Sequence, residues 1–218
     1  MRVSVTLEPE LGTDSFNYEV LSAAVLNTVG VPGMTCEIGL RHGGGSKYMI
    51  DALIASDQKY KTHVAIDPYG NIEYRHDDWT NILKSDYTNA MRDDCLYNMY
   101  LYVLQKGVNF VFFNLEDSEF FARYADGVPL YTESKTICNE YSVVHLDGAH
   151  TLDKLYEEIA FFHPRMPVGA YFVCDDVGNY DHSVIDRFFL TGGYENVDKT
   201  ERKWSYRKVE PKEMVWPT

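Results

Sequence analysis

The sequence predicts an α/β protein whose mostly parallel sheet is covered by helices on both faces. Three observations support this. Residues 141–146 and 170–174 are short β-branched or aromatic runs without clean alternation, as in strands covered on both sides, and a helical pattern lies between them. Residues 34–53 repeat the strand, turn and helix order, with Gly43, Gly44 and Gly45 in the turn. After Gly192-Gly193, residues 195–200 and 204–209 read as two strands joined by a short polar connection, an antiparallel hairpin.

Taken in order, residues 1–15 form an irregular or loosely docked arm. Asp14 or Ser15 caps a helix running to about Val29, with Phe16, Val20, Ala23, Ala24 and Val29 on its apolar face, and residues 30–33 end it. The strand that follows carries Glu37 and Gly39 into the glycine turn, and Tyr48, Met49, Ala52 and Leu53 mark the next helix. Such a turn lets backbone approach a ligand while the helix N-terminus offers unpaired N–H groups. It lacks the Lys-Ser/Thr of a phosphate loop and the G-x-G-x-x-G of dinucleotide sites. Glu37 would repel a phosphate but attract a cation or accept from hydroxyls. The strand at 62–66 ends in Asp67, where an acid commonly bonds ribose hydroxyls in doubly wound folds; a turn aspartate is the equal alternative.

Residues 71–107 form a long polar connection and then a helix at about 89–104, read either as a lid or as a surface insertion. Residues 108–114 make a third strand, and 115–119 open a short helix containing Ser118. The strand at 141–146 runs into Asp147-Gly148-Ala149-His150. Thr151 then caps a helix with Leu152, Leu155, Ile159 and Phe162 at helical spacing, stopped by Pro164 and Pro167. The strand at 170–174 ends in Asp175-Asp176, a helix occupies 182–190, and 211–218 is a tail.

A right-handed crossover between the strands at 141–146 and 170–174 puts their carboxyl ends on one edge of the sheet. Asp147, Asp175, Asp176 and His150 converge there. Three like charges at close range repel unless a cation or shared protons lie among them, and oxygen-only ligation points to magnesium, manganese or calcium. The plainer reading makes Asp175-Asp176 a turn or cap and His150 a surface or capping residue.

With 218 residues, the chain is most simply one domain, spanning 16–210. A formal charge of −13 argues against a nucleic-acid groove and against an anionic membrane surface, which leaves a small-molecule partner. The start lacks a basic region followed by an apolar core, and no apolar run reaches membrane-spanning length, so a soluble cytoplasmic protein is expected. Cys36, Cys95, Cys138 and Cys174 are isolated, which suits a reduced compartment and not a zinc site. A homo-oligomer is left open.

The ordered set Glu37-Ile38-Gly39, Gly43 to Ser46, Asp67-Pro68-Tyr69, Asp147-Gly148-Ala149-His150 and Asp175-Asp176 resembles the class I S-adenosylmethionine-dependent methyltransferases. It is most similar to the metal-dependent macrocin O-methyltransferase group, which acts on sugar hydroxyls of natural products. The resemblance covers roughly residues 16–209. It implies the sheet order 3-2-1-4-5-7-6, S-adenosylmethionine and a divalent ion such as magnesium as cofactors, and methyl transfer to a hydroxyl. Carried over, Glu37, Gly39, Gly43, Gly44, Gly45 and Ser46 line the methionine part, Asp67 holds the ribose and Ser118 meets the adenine. Asp147, Asp175 and Asp176 ligate the metal, and His150 is the general base. Two other classes stay open: a Rossmann-like metal enzyme of different chemistry, such as a hydroxylase, and a binding protein that kept the fold without activity.

Overall fold

The computed structural model describes residues 8–70, 73–75, 83–84, 87–148 and 151–216, with the backbone alone for 74–75 and 83–84. In chain order the elements are α1 (Glu19–Leu26), β1 (Met34–Ile38), α2 (Gly44–Ala55), β2 (His63–Ile66), β3 (Tyr74–Arg75), β4 (Leu83–Lys84), α3 (Asn89–Lys106), β5 (Phe110–Phe113), α4 (Asp117–Arg123), β6 (Val128–Tyr131), β7 (Lys135–Cys138), β8 (Tyr141–Leu146), α5 (Leu152–Phe162), β9 (Tyr171–Cys174), α6 (His182–Thr191), β10 (Tyr194–Lys199) and β11 (Trp204–Lys208).

Seven strands form the main sheet in the order β10-β11-β9-β8-β1-β2-β5. Counted along the chain within that sheet, this is the expected 3-2-1-4-5-7-6. The pairs β5–β2, β2–β1, β1–β8 and β8–β9 are parallel, and β11 runs antiparallel to both β9 and β10. Because side chains alternate across a strand, neighbours divide between two cores. Val144 and Phe172 join Phe120, Ile159 and Phe189 beneath α4, α5 and α6, whereas Val143 and Val173 join Leu21, Ile50 and Met99 beneath α1, α2 and α3. Among the described residues no helix is long and apolar enough to cross a membrane.

One local expectation is corrected, and one element was not anticipated. Helix α1 begins at Glu19, after Tyr18, with no side-chain cap. Asp14 instead accepts from the Tyr18 hydroxyl (2.8 Å) and pairs with Arg41, while Ser15 accepts from Lys203, so neither side chain is available to cap. Within the described part of the arm, residues 8–15, one contact reaches the glycine turn. Gly12 bridges Gly43, donates its N–H to the His42 carbonyl (3.2 Å), and would be struck through its own carbonyl oxygen by a Cβ on Gly44. The glycine at 44 therefore makes room for the chain's own arm. The hairpin β6–β7 was not anticipated, because Pro129 weakens a strand reading and most of β7 is exposed, so no buried alternation marks it. The lid expectation falls partly on 71–72, 76–82 and 85–86, and His150 with Ala149 also lies outside the described residues.

Candidate active site

Glu37, Asp147 and Asp175 come together because they sit at or just past the carboxyl ends of three adjacent parallel strands. Asp147 donates its N–H to the Ile38 carbonyl (3.1 Å) and Asp175 to the Leu146 carbonyl (3.0 Å), carrying the ladder into the acids. Gly39 turns the chain away from β1 at φ +88, where a Cβ would overlap the Asp147 carbonyl oxygen.

A buried polar chain crosses the sheet at this edge. Thr35 Oγ1 bonds His63 Nδ1 (2.8 Å), His63 Nε2 bonds Ser46 Oγ (2.7 Å), and Ser46 donates to the Glu37 carboxylate. Glu37 Oε1 lies 2.9 Å from His145 Nδ1, and His145 Nε2 faces Asp175 Oδ2 at 3.8 Å. Burial, helped by the charge of His145, pushes His63 down to about 3, so it is neutral. It then donates from Nε2 to Ser46 and accepts from Thr35 at Nδ1. Burial also works against protonating His145, but its contacts with Asp175 and Glu37 outweigh this and hold its pKa above the ordinary value. Asp175 is pushed the other way. Burial would raise it, yet His145 and Lys203 hold it well below the usual carboxylate range.

Lys203 is the last member of the chain. Its fully buried Nζ lies 2.7 Å from Asp175 Oδ2, 3.2 Å from Ser15 Oγ, 3.1 Å from the Phe16 carbonyl and 4.1 Å from the centre of the Tyr18 ring. Asp176, at φ +49, pairs with Arg202 and accepts from Asn179 Nδ2 at 3.1 Å. Asp147 is half-buried. Burial and then the charge of Asp175 push its pKa well up, with Lys203 opposing.

Two cavities open here, sharing Gly39, Tyr87 and Asp147. The first, of about 100 Å³, is polar and includes Asp14, Glu37, Gly44, Gly45, Asp175 and Arg202 in its wall. The second, of about 350 Å³, is mainly apolar, formed by Ile38, Ile66, Pro68 and Leu115 with Asp67, Asp117 and Thr151. Asp67 is buried and accepts the backbone N–H groups of Arg41 (2.9 Å) and Tyr69 (3.1 Å). Burial raises it to about 6 despite those bonds.

Of the expected residues, Glu37, Gly39, Gly44, Asp67, Asp147, Asp175 and Asp176 all line one or both cavities. Ser46 stands behind Glu37, and Gly43 packs against Leu11 and Met99. Ser118 is exposed on the first turn of α4, and Leu115, Glu116 and Asp117 line the second cavity in its place. The sequence reading missed His145, Arg202 and Lys203. Arg202-Lys203 had one legible signal, two adjacent cations just before the final strand of an acidic chain.

No family model matches the sequence, and no curated protein matches it. Solved structures do. The O-methyltransferase NovP is 18% identical with a TM-score of 0.62, over 88% of this chain and 79% of that one. The fold is that of the class I methyltransferases. MycE, a methyltransferase of mycinamycin biosynthesis solved with Mg and SAH, is 13% identical with a TM-score of 0.52, over 95% of this chain and 53% of that one. A precorrin-6y C5,15-methyltransferase from Geobacter metallireducens is 13% identical with a TM-score of 0.54, over 93% of this chain and 95% of that one.

The expected three-aspartate site is not reproduced. Among the described residues, the ligand-type groups within 4.8 Å of one another are His145, Asp147 and Asp175. Asp175 is already engaged by Lys203, and Asp176 by Arg202.

Proposed function

We propose that this chain is an S-adenosylmethionine-dependent O-methyltransferase acting on a hydroxyl of a small molecule, with sugars as the first class to assay. The observation that carries the reading is the pair of cavities meeting at Gly39 and Asp147, one polar and one apolar, as an amphipathic nucleoside–amino acid ligand requires. The similarity to natural-product O-methyltransferases supports it. Ile38, Ile66 and Leu115 would enclose the adenine, Asp67 would accept from the ribose hydroxyls, and Glu37 with the turn at 43–46 would border the methionine part. The wall of the polar cavity carries Asp14, Glu37, Asp147, Asp175 and Asp176 beside Arg41 and Arg202. Such an acid-rich wall complements a cationic ligand.

S-adenosylmethionine held there would supply an electrophilic sulfonium methyl for the acceptor oxygen, leaving S-adenosylhomocysteine. Asp147, which borders both cavities, would orient the acceptor hydroxyl, and His150 would take its proton. Removing such a base costs roughly a hundredfold to ten-thousandfold in rate. His150→Ala is therefore expected to depress S-adenosylhomocysteine formation that strongly at neutral pH and recover partly at high pH, where hydroxide substitutes. A variant within a few fold of wild type would remove His150 from the mechanism. Cofactor binding without turnover on any sugar, phenol or macrolide acceptor would favour the non-catalytic reading instead.

A further inference from the structure

We infer that Lys203 is the resident cation of the carboxylate cluster and that Asp147, Asp175 and Asp176 take no divalent ion in this chain. Strand register places it there. In the antiparallel pair β9–β11, Ser205 lies opposite Val173 and Trp204 opposite Cys174. One step further in that register sets Lys203 opposite Asp175. Beyond it Asp176 leaves the extended conformation (φ +49), and the Val177 N–H bonds the Arg202 carbonyl (3.2 Å), one residue out of register. Lys203 thus meets Asp175 as a cross-strand pair, and Arg202 meets Asp176 just beyond it.

The ammonium is also saturated. It has three N–H donors, and the structure gives them Asp175 Oδ2, Ser15 Oγ and the Phe16 carbonyl, with the Tyr18 ring against it. Asp175 is engaged on both oxygens in turn, since Oδ1 accepts the Asp176 N–H (2.7 Å) while Oδ2 accepts from Lys203 and faces His145 at 3.8 Å. Metal–oxygen bonds are about 2.0–2.6 Å, so an ion on Asp175 Oδ2 would lie within about 5 Å of the ammonium, in a site with little water to screen the repulsion. Lys203 and Arg202 together already supply two positive charges, the charge of the ion they stand in for. Two of the ammonium's bonds hold Ser15 and Phe16, so an entering ion would also have to release the arm.

The inference deepens the methyltransferase reading, resting on it only for placing an acceptor beside Asp147. The test is a Mn²⁺ titration of the full chain by electron paramagnetic resonance, with S-adenosylhomocysteine binding measured in the same samples. Wild type is expected to show no stoichiometric Mn²⁺ site up to about 1 mM, the weak end of natural calcium sites. Lys203→Ser is expected to gain one site, with its thermal midpoint raised by Mn²⁺, and Lys203→Ser with Asp175→Asn is expected to lose it. A stoichiometric site in wild type that Asp175→Asn removes would overturn the inference. So would a folded Lys203→Ser that gains none. If Lys203→Ser does not fold, the wild-type titration decides alone. Mn²⁺ binding alongside intact S-adenosylhomocysteine binding would overturn this inference and leave the methyltransferase reading standing, whereas absence of both would remove the latter.

Discussion

Asp67 can be tested by its titration. Its carboxyl is held at about 6, chiefly by burial, while the N–H groups of Arg41 and Tyr69 oppose the shift. In the unfolded chain it would ionise near the ordinary carboxylate value, so between about 4 and 6 the folded state binds more protons, and its contribution to stability falls as pH rises through that window. Ribose hydroxyls donate to the ionised form, so cofactor affinity moves the opposite way. Calorimetry across pH 5–8 is expected to find S-adenosylhomocysteine affinity flat above about 6 and weakening below it, by at most about tenfold per unit. Affinity that strengthens on acidification would take Asp67 away from the ribose. Glu37, Gly39, Asp67 and Asp147 were legible in the sequence because each closes or follows a strand whose end must lie on the ligand edge. His145 was not, since it sits inside an otherwise apolar strand and gains its meaning from Glu37 and Asp175 on the neighbouring strands.

The hairpin β10–β11 carries the element that the sequence concealed. Its turn is fixed by Thr200, whose hydroxyl donates to the Lys203 carbonyl (2.7 Å) and accepts the Lys203 N–H (2.9 Å). That turn sets the register, and the register sets Lys203 on Asp175. The turn residues of the hairpin are local signals, whereas its partner β9 lies about thirty residues away in sequence, so the hairpin itself was readable while its pairing partner was not. Breaking a buried ion pair from one side leaves an uncompensated charge and costs about 3–5 kcal/mol. Lys203→Met is expected to lose that much in urea denaturation, and adding Asp175→Asn is expected to return part of it, since the two residues touch. A loss below about 1 kcal/mol, the range of exposed pairs, would mean that the ammonium is not committed to Asp175. Helix α5 was read correctly because its Thr151 cap and apolar stripe are both local signals, with Thr151 accepting the Lys154 N–H. Helix α1 was read too early because Asp14 and Ser15 are taken by Arg41, Tyr18 and Lys203, partners distant in sequence or outside the helix start.

At the scale of the whole molecule, the strand order sets both cavities at the carboxyl ends of the central strands, the apolar one beside Ile38 and Ile66 of β1 and β2 and the polar one beside Asp147 and Asp175 after β8 and β9. The fold is shared with NovP at 18% identity, and a shared fold does not fix which side chains meet a ligand. Here the carboxylates that the resemblance assigns to a metal are met by cations from the last hairpin. The most direct measurement is a calorimetric titration of the full chain with S-adenosylhomocysteine in excess chelator. Saturable one-to-one binding is expected, unchanged from that in magnesium and weakened at least tenfold by Asp67→Ala. No heat and no thermal shift at millimolar ligand would contradict a methyltransferase site at this edge.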